Sequence, residues 1–478
     1  MQNSKLIQLL RSLKTSEFRE FKEYLNSPVF NKNKNIIALF DAVKKYYPAF
    51  DQKGMDNEKI FKKVFPGEIY DYFKLKNLTS DTFGLGKDFL SFIFYRDHSP
   101  LKDKYLLEQL RDRSLDSIFE QTHKAVTKKH VKSKVRDENF IQKSLELTEE
   151  MLFYKIPKDP DSRLGFFQNE LDLYLQYTLI RLLKYYNIMM HEKNQNNCEF
   201  KMGLYNEVMN YLRENPQDNP TIKIYYNIVL LGEEKKDKYF YELKKLKEKY
   251  INELNTEDTF TLFMHMANYC AYNFNVLEKP EFMREHFLLS KENFDNGTLQ
   301  LGKLLYPDFL NHVKIAVRVD EFDWAERYIS EHKDQLTEEK ENTLNFCYGY
   351  INYKKGDLDK ALELFSKTNF PIFILKIQVK ILLLKINYEK GFYEQVLTMI
   401  DSFRHYLSRE NSLLEVSKES YYDFIKVLKE LIKLRYMPDK DEININLQKI
   451  KNDIEDIKYN QFGIKIWLRE KAGEVVEN

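Results

Sequence analysis

The chain has 478 residues, with 75 lysines and arginines against 74 acids, so a net charge of +1 exerts no global pull toward nucleic acid or an anionic membrane. Hydrophobic residues make up 43% and charged residues 31%, which excludes a disordered chain and supplies a large core. Only 14 glycines and 12 prolines leave little material for the turns of a sheet protein, so all-α is the expected class.

In chain order, residues 1–14 read as an amphipathic helix. Lys5 and Arg11 interrupt any signal-peptide core there. Thr15 or Ser16 can cap a second helix carrying Phe18, Phe21, Tyr24 and Leu25, which ends at residues 26–28. Residues 36–47 stop at Pro48, and residues 56–65 stop at Pro66 and Gly67. Residues 70–96 are helix-like but hold Gly84 and Gly86, so either another helix approaches there or the helix breaks. Pro100 ends that stretch, and residues 101–136 continue as one or two helices. Residues 155–161, with Pro157 and Pro160 and no apolar periodicity, read as a linker. They divide an N-terminal helical domain, 1–157, from a second domain, 164–478.

The second domain opens with a long helix, 164–192, whose apolar stripe is Phe167, Leu171, Tyr174, Leu175, Leu179 and Leu182. A polar loop at 194–198 follows. Helix pairs then come at a regular beat, 221–232 with 239–250 and 258–272 with 281–294. Residues 412–436, 439–457 and 459–471 finish the chain, with Trp467 covering the exposed end of the stack.

Between them, residues 317–403 nearly repeat one phrase. Ile351, Asn352, Tyr353, Lys355 and Gly356 return as Ile386, Asn387, Tyr388, Lys390 and Gly391, with the glycines 35 positions apart (391 − 356). Leu358, Ala361 and Phe365 follow the first glycine, and Tyr393, Val396 and Ile400 the second. A fainter copy reads Asp320, Phe322, Ala325 and Ile329, with 361 − 325 = 36. A period in the mid-thirties marks stacked helix-turn-helix units. Gly356 supplies the left-handed residue that ends a helix, Asp357 can cap the next, and Gly349 and Ala361 are small enough for close packing.

With Pro371 nearby, these residues resemble the tetratricopeptide repeat family over about 307–403. The match departs at Val396 and Leu384, where the family prefers Ala and Gly, and at Asp320 in place of the loop glycine. The resemblance implies a right-handed solenoid of helical hairpins, whose first helices line a groove for a protein or peptide. In that register the lining is Leu310, Lys314 and Arg318, then Phe346, Tyr350, Tyr353 and Lys354, then Ile381, Lys385 and Tyr388. Such a mixed aromatic and cationic lining suits an acidic or aromatic segment.

Motifs for chemistry are absent from the sequence. The nine histidines do not cluster, there is no HExxH, no glycine-rich phosphate loop and no GxSxG elbow. Asp439, Asp441 and Glu442 lack calcium-loop spacing and read as a helix start. Cys198, Cys270 and Cys347 are too widely spaced for a disulfide framework or a CxxC pair, which points to a reducing, cytoplasmic setting. Matches to the glycosylation pattern at 77–79 and 296–298 are then fortuitous. The apolar run at 381–384 is far short of a membrane span. The expectation is a non-enzymatic adaptor without metal or cofactor, and nothing in the sequence sets its oligomeric state.

A nucleic-acid partner is the alternative. Residues 123–136 hold six lysines and arginines and no acid, and Lys124, Lys128 and Lys132 share one helix face that can meet phosphates. Residues 36–89, through Ala38 to Phe40 and the stretch 59–67, are similar to the winged-helix domain of bacterial transcriptional activators that carry tetratricopeptide-type regions. That resemblance implies a recognition helix at 74–90 and a DNA-binding regulator with a repeat-built sensor. The residues offer no β-hairpin for the wing.

Overall fold

The computed structural model describes residues 4–50, 55–98, 101–196, 198–295, 304–409 and 415–477. Every regular element among them is helical: 23 α-helices and no strand, as the scarcity of glycine and proline implies. Pro100 and the pattern at 296–298 lie outside the described residues. The chain forms two compact units, residues 1–132 with 142–173, and residues 133–141 with 174–478.

In the first unit, α1 (Lys5–Ser12), α2 (Thr15–Asn26), α3 (Lys34–Val43), α4 (Asn57–Val64) and α5 (Tyr72–His98) share one core around Leu10, Phe21, Phe40, Phe61 and Phe89. Asp56 caps α4 by accepting from the Glu58 N–H. The start of α2 differs from expectation. Thr15 and Ser16 lie inside the helix, and Glu17 reaches back to the Lys14 N–H at 2.8 Å. The helix α5 runs unbroken through both glycines. A Cβ on Gly86 would lie 3.1 Å from the Leu9 methyls, so this position lets α1 come close. With no strand among the described residues, they contain no wing. The helices α6 (Lys102–Asp112), α7 (Asp116–Val131) and α8 (Glu138–Lys155) build a smaller core from Leu107, Phe119, Leu147 and Tyr154.

The second unit takes the first residues of α8 and most of α9 (Leu164–Asn196). Leu179, Ile180, Leu183 and Tyr186 form the buried stripe of α9, whereas Phe167, Leu171 and Tyr174 of the expected stripe are exposed. Helix continues to Asn196 where a loop was expected, and Asn197 lies outside the described residues. There follow α10 (Tyr205–Glu214), α11 (Pro220–Glu234), α12 (Asp237–Tyr250), α13 (Thr256–Asn275), α14 (Glu281–Asp295), α15 (Tyr306–Arg318) and α16 (Phe322–His332). Then come α17 (Lys340–Lys355), α18 (Leu358–Ser366), α19 (Phe373–Glu389), α20 (Tyr393–Ser408), α21 (Glu415–Leu434), α22 (Lys440–Glu455) and α23 (Ile464–Glu477). From α11 to α22 the helices pack in successive neighbouring pairs.

The turn inside five of these pairs carries a left-handed residue: Lys235, Glu278, Asp320, Gly356 and Gly391. Three of the turns share one hydrogen-bond pattern, in which an N–H just past the helix bonds back to a carbonyl five residues earlier. The bonds are Glu321 to Ala316 at 3.0 Å, Asp357 to Asn352 at 2.9 Å and Phe392 to Asn387 at 2.9 Å. Asp357 then caps α18 through the Lys360 N–H. The small or apolar positions Ala325, Ala361 and Val396 are fully buried, as are Ile329, Phe365 and Ile400. Gly349 faces the Phe365 ring, which a Cβ would meet at 3.2 Å.

An internal ion network ties the start of α8 to α9, α11 and α13. Lys184 Nζ lies 2.6 Å from Asp258 and 2.7 Å from Glu138, and the Tyr225 hydroxyl donates to Asp258 at 2.8 Å. Asp258 is fully buried, so removing the lysine would strand its charge.

Left-handed backbone costs about 1–2 kcal/mol at a residue with a Cβ and little at glycine. Asp320→Gly is therefore expected to raise stability by about 1 kcal/mol, and Gly356→Ala to lower it by about 1–2 kcal/mol. The opposite shifts of their urea midpoints check this.

Candidate functional site

The C-terminal turns of α13, α15, α17 and α19 converge on a cavity of about 510 Å³. Phe274, Arg318, Lys354 and Lys385 come from these four helices in that order. The opposite wall is the segment that leads into α23, with Phe462, Gly463, Ile466 and Trp467. Three links hold that segment in place. The Asn460 N–H donates to the Asn275 carbonyl at 2.9 Å, at the end of α13. Lys465 and Arg469 both pair with Glu278, the left-handed residue of the α13–α14 turn. The Trp467 indole N–H donates to Glu389 at the end of α19.

The cations of this cavity are unusual in their partners. Lys385 retains only 3% of its exposure, and its ammonium donates to two main-chain carbonyls, Phe462 at 3.0 Å and Gly463 at 3.1 Å. Phe462 and Gly463 are both left-handed, with φ of 58° and 66°. Arg318, half-buried, donates to the Tyr350 hydroxyl at 3.4 Å and lies over the Phe274 ring. Lys354 is exposed. Among the described residues, no carboxylate stands within 4.0 Å of any of the three. Arg318 and Lys354 sit in the last turns of their helices, where the carbonyl ends offer partial compensation. Burial first, and then the charges of Lys354 and Arg318, push the Lys385 ammonium down to about 7. Two acids also line the cavity. Glu470 is engaged by Lys471, whereas Glu389 accepts from the neutral Tyr353 hydroxyl, at 2.9 Å, and from Trp467.

A second cavity of about 400 Å³ shares Arg318 and Phe462 with the first and adds Lys314, His286, His312 and Asp308. Burial holds both histidines down at about 4, so they are neutral near pH 7. Lys314 donates to the Gln378 side-chain oxygen at 3.2 Å, and burial with the Arg318 charge pushes it down to about 7.

Of the residues expected to line a groove, Arg318, Tyr350, Tyr353, Lys354 and Lys385 meet at the first cavity, and Lys314 lines the second. Phe346 and Tyr388 require correction, as do Leu310 and Ile381: all four are buried in the core. Phe346 packs on Phe365 and Phe370, and Tyr388 lies under Trp467 with its hydroxyl held by Arg435 at 3.1 Å. The reason is that α17 and α19 are covered on more sides than an open hairpin register assumes. Trp467 packs on Tyr388 and Phe424, across the first helices of the last two pairs. The sequence reading missed Glu389, Phe462 and Gly463, because no local pattern links residues more than seventy positions apart.

The basic stripe lies in the first unit. Lys124 and Lys128, in the C-terminal half of α7, and Lys132, just past its end, are all exposed, and no carboxylate among the described residues lies within 4.0 Å of them. The thiols of Cys270 and Cys347 are buried, and burial raises both above their ordinary range. Among the described residues no helix is long and apolar enough to cross a membrane, and no three His, Cys, Asp or Glu side chains are grouped for a metal. Compared with protein families, curated proteins and solved structures, the chain matches none.

The depressed lysine has a stability consequence with a definite sign. Between about 7 and its ordinary 10.5, the unfolded chain keeps a proton that folded Lys385 has lost. Stability from this group therefore rises with pH across that window and is lowest below it. Lys385→Met is expected to flatten the rise, by a few kcal/mol between the two ends of the window. Urea midpoints of parent and variant, measured from pH 7 to about 10, check the slope.

Proposed function

We propose that this protein is a non-enzymatic scaffold that holds a protein or peptide partner on an array of tetratricopeptide-like helical hairpins. The observation that carries the reading is the meeting of Arg318, Tyr353, Lys354 and Lys385, from three successive hairpins, at one cavity. The common turn geometry at Asp320, Gly356 and Gly391 supports hairpins of one kind. Exposed Lys354 and half-buried Arg318 and Tyr353 are the accessible contacts, and their charge favours an acidic segment. A library of displayed peptides panned against the full chain should return sequences rich in Asp and Glu. Lys354→Glu should weaken the best of them about tenfold or more by fluorescence anisotropy. Peptides without acidic enrichment, or unchanged affinity in the variant, remove the reading.

One observation favours a second reading, a regulator whose first unit meets DNA. Lys124, Lys128 and Lys132 face solvent without a carboxylate partner. The chain should then bind a short duplex with affinity that falls steeply as salt rises. Changing all three lysines to Gln should reduce the log–log salt slope by about 3. A duplex that is not retained even at low salt sinks this alternative.

A further inference from the structure

A buried cation is stable when an opposite charge or a full set of acceptors meets it. Of the three cations at the first cavity, Lys385 is buried, and it meets two carbonyls rather than an opposite charge. Arg318, Lys354 and Lys385 line one cavity, and among the described residues none has a carboxylate within 4.0 Å, although Glu389 and Glu470 also act on Lys385 from farther off. The acids nearby do not offset them as pairs. Glu470 is bound to Lys471, and Glu389 is held by the hydroxyl of Tyr353 and the indole of Trp467. Two other lysines set back from solvent in the second unit do have acids. Lys184 has Glu138 and Asp258, and Lys247 has Glu292. Lys314, which lines the adjoining cavity and meets the Gln378 side-chain oxygen, shares the lack of an acid with this cluster.

The shape agrees with the charge. About 510 Å³ lies within the size range of small-molecule sites. Tyr350, Tyr353, Phe274, Phe462 and Trp467 supply apolar and aromatic walls around the three cations. Phe462 and Gly463 hold their left-handed turn with both carbonyls on Lys385, which keeps that ammonium at the cavity wall. Fixed charged groups set among aromatic walls can orient a small ligand.

We propose that this cavity is a binding site for a small organic oxyanion, a phosphate- or carboxylate-bearing molecule, whose charged group is met by Arg318, Lys354 and Lys385 and whose body packs against the aromatic walls. Arg318 offers a planar fork that suits either oxyanion, and the lysines act as point charges beside it. The site does not depend on a protein partner. A chain that captures no peptide still has this cavity and this charge.

The test is thermal unfolding of the full chain at constant ionic strength with inorganic pyrophosphate, citrate or AMP, against potassium chloride as the matched control. A saturable rise in Tm is expected with at least one of them. A response to pyrophosphate or AMP assigns the site to phosphates, and a response to citrate alone assigns it to carboxylates. Lys354→Gln and Arg318→Gln should each weaken the apparent Kd about tenfold or more, whereas Lys245→Gln, on an exposed face of α12, should leave it unchanged. If Arg318→Gln does not fold, exposed Lys354 decides by itself. No rise beyond chloride, or a rise that persists undiminished in Lys354→Gln, overturns the proposal. Failure of these anions beside binding of acidic peptides would overturn this site alone and leave the scaffold reading standing.

Discussion

The ammonium of Lys385 and the two carbonyls it meets are the constraint on which the second unit's interior face depends. A lysine so deeply buried needs acceptors, and it finds them in the main-chain oxygens of Phe462 and Gly463. Those residues must adopt left-handed backbone to present them, and Phe462 does so at a steric cost. The turn in turn fixes where α23 starts, since the Asn460 side chain caps it through the Lys465 N–H. From that start Trp467 reaches Glu389 and Tyr388, and Arg469 reaches Glu278. The buried cation and these contacts together hold the last helix, and the last helix lines the cavity.

Two of the sets of long-range polar contacts in the unit differ in nature. The contact of Lys184 with Glu138 and Asp258 is a buried pairing of opposite charges with a tyrosine hydroxyl completing it. Its one lysine meets both carboxylates directly, so each charge in it has an opposite partner. The cavity around Lys385 has the opposite character, with cations assembled from several helices and no acid paired to them. The difference between a satisfied network and an unsatisfied one gives the physical reason for placing a ligand at the second and none at the first.

Much of the hairpin array was legible because its turns obey local rules. Gly356 and Gly391 announce left-handed turns, and Asp357 announces a cap. The other turns adopt the same left-handed residue with Lys235, Glu278 and Asp320, side chains that do not advertise it. That is why the beat could be read clearly over two units and only faintly over a third. Helical register also explains which of the expected lining residues come together at one cavity. The register located Arg318, Tyr350, Tyr353, Lys354 and Lys385 by helical periodicity. It failed at Phe346 and Tyr388, where periodicity reports which residues share a face and says nothing of what covers that face.

By itself the sequence determined the all-helical class, the ends of most helices, and the recurring hairpin outline, because these follow from propensity, capping and apolar period acting over a few turns. Tertiary structure alone decided that α23 returns to the C-terminal ends of α13 and α19, and that Lys385 is buried beneath it. It also decided that Arg318 and Lys354 line the same cavity as that lysine, with no carboxylate among the described residues within 4.0 Å of them. Those facts depend on contacts between residues tens to nearly two hundred positions apart, such as Arg469 with Glu278. No local rule encodes them, since the chemistry of a lysine on a helix is the same in a string of residues whether water or a buried wall lies in front of it.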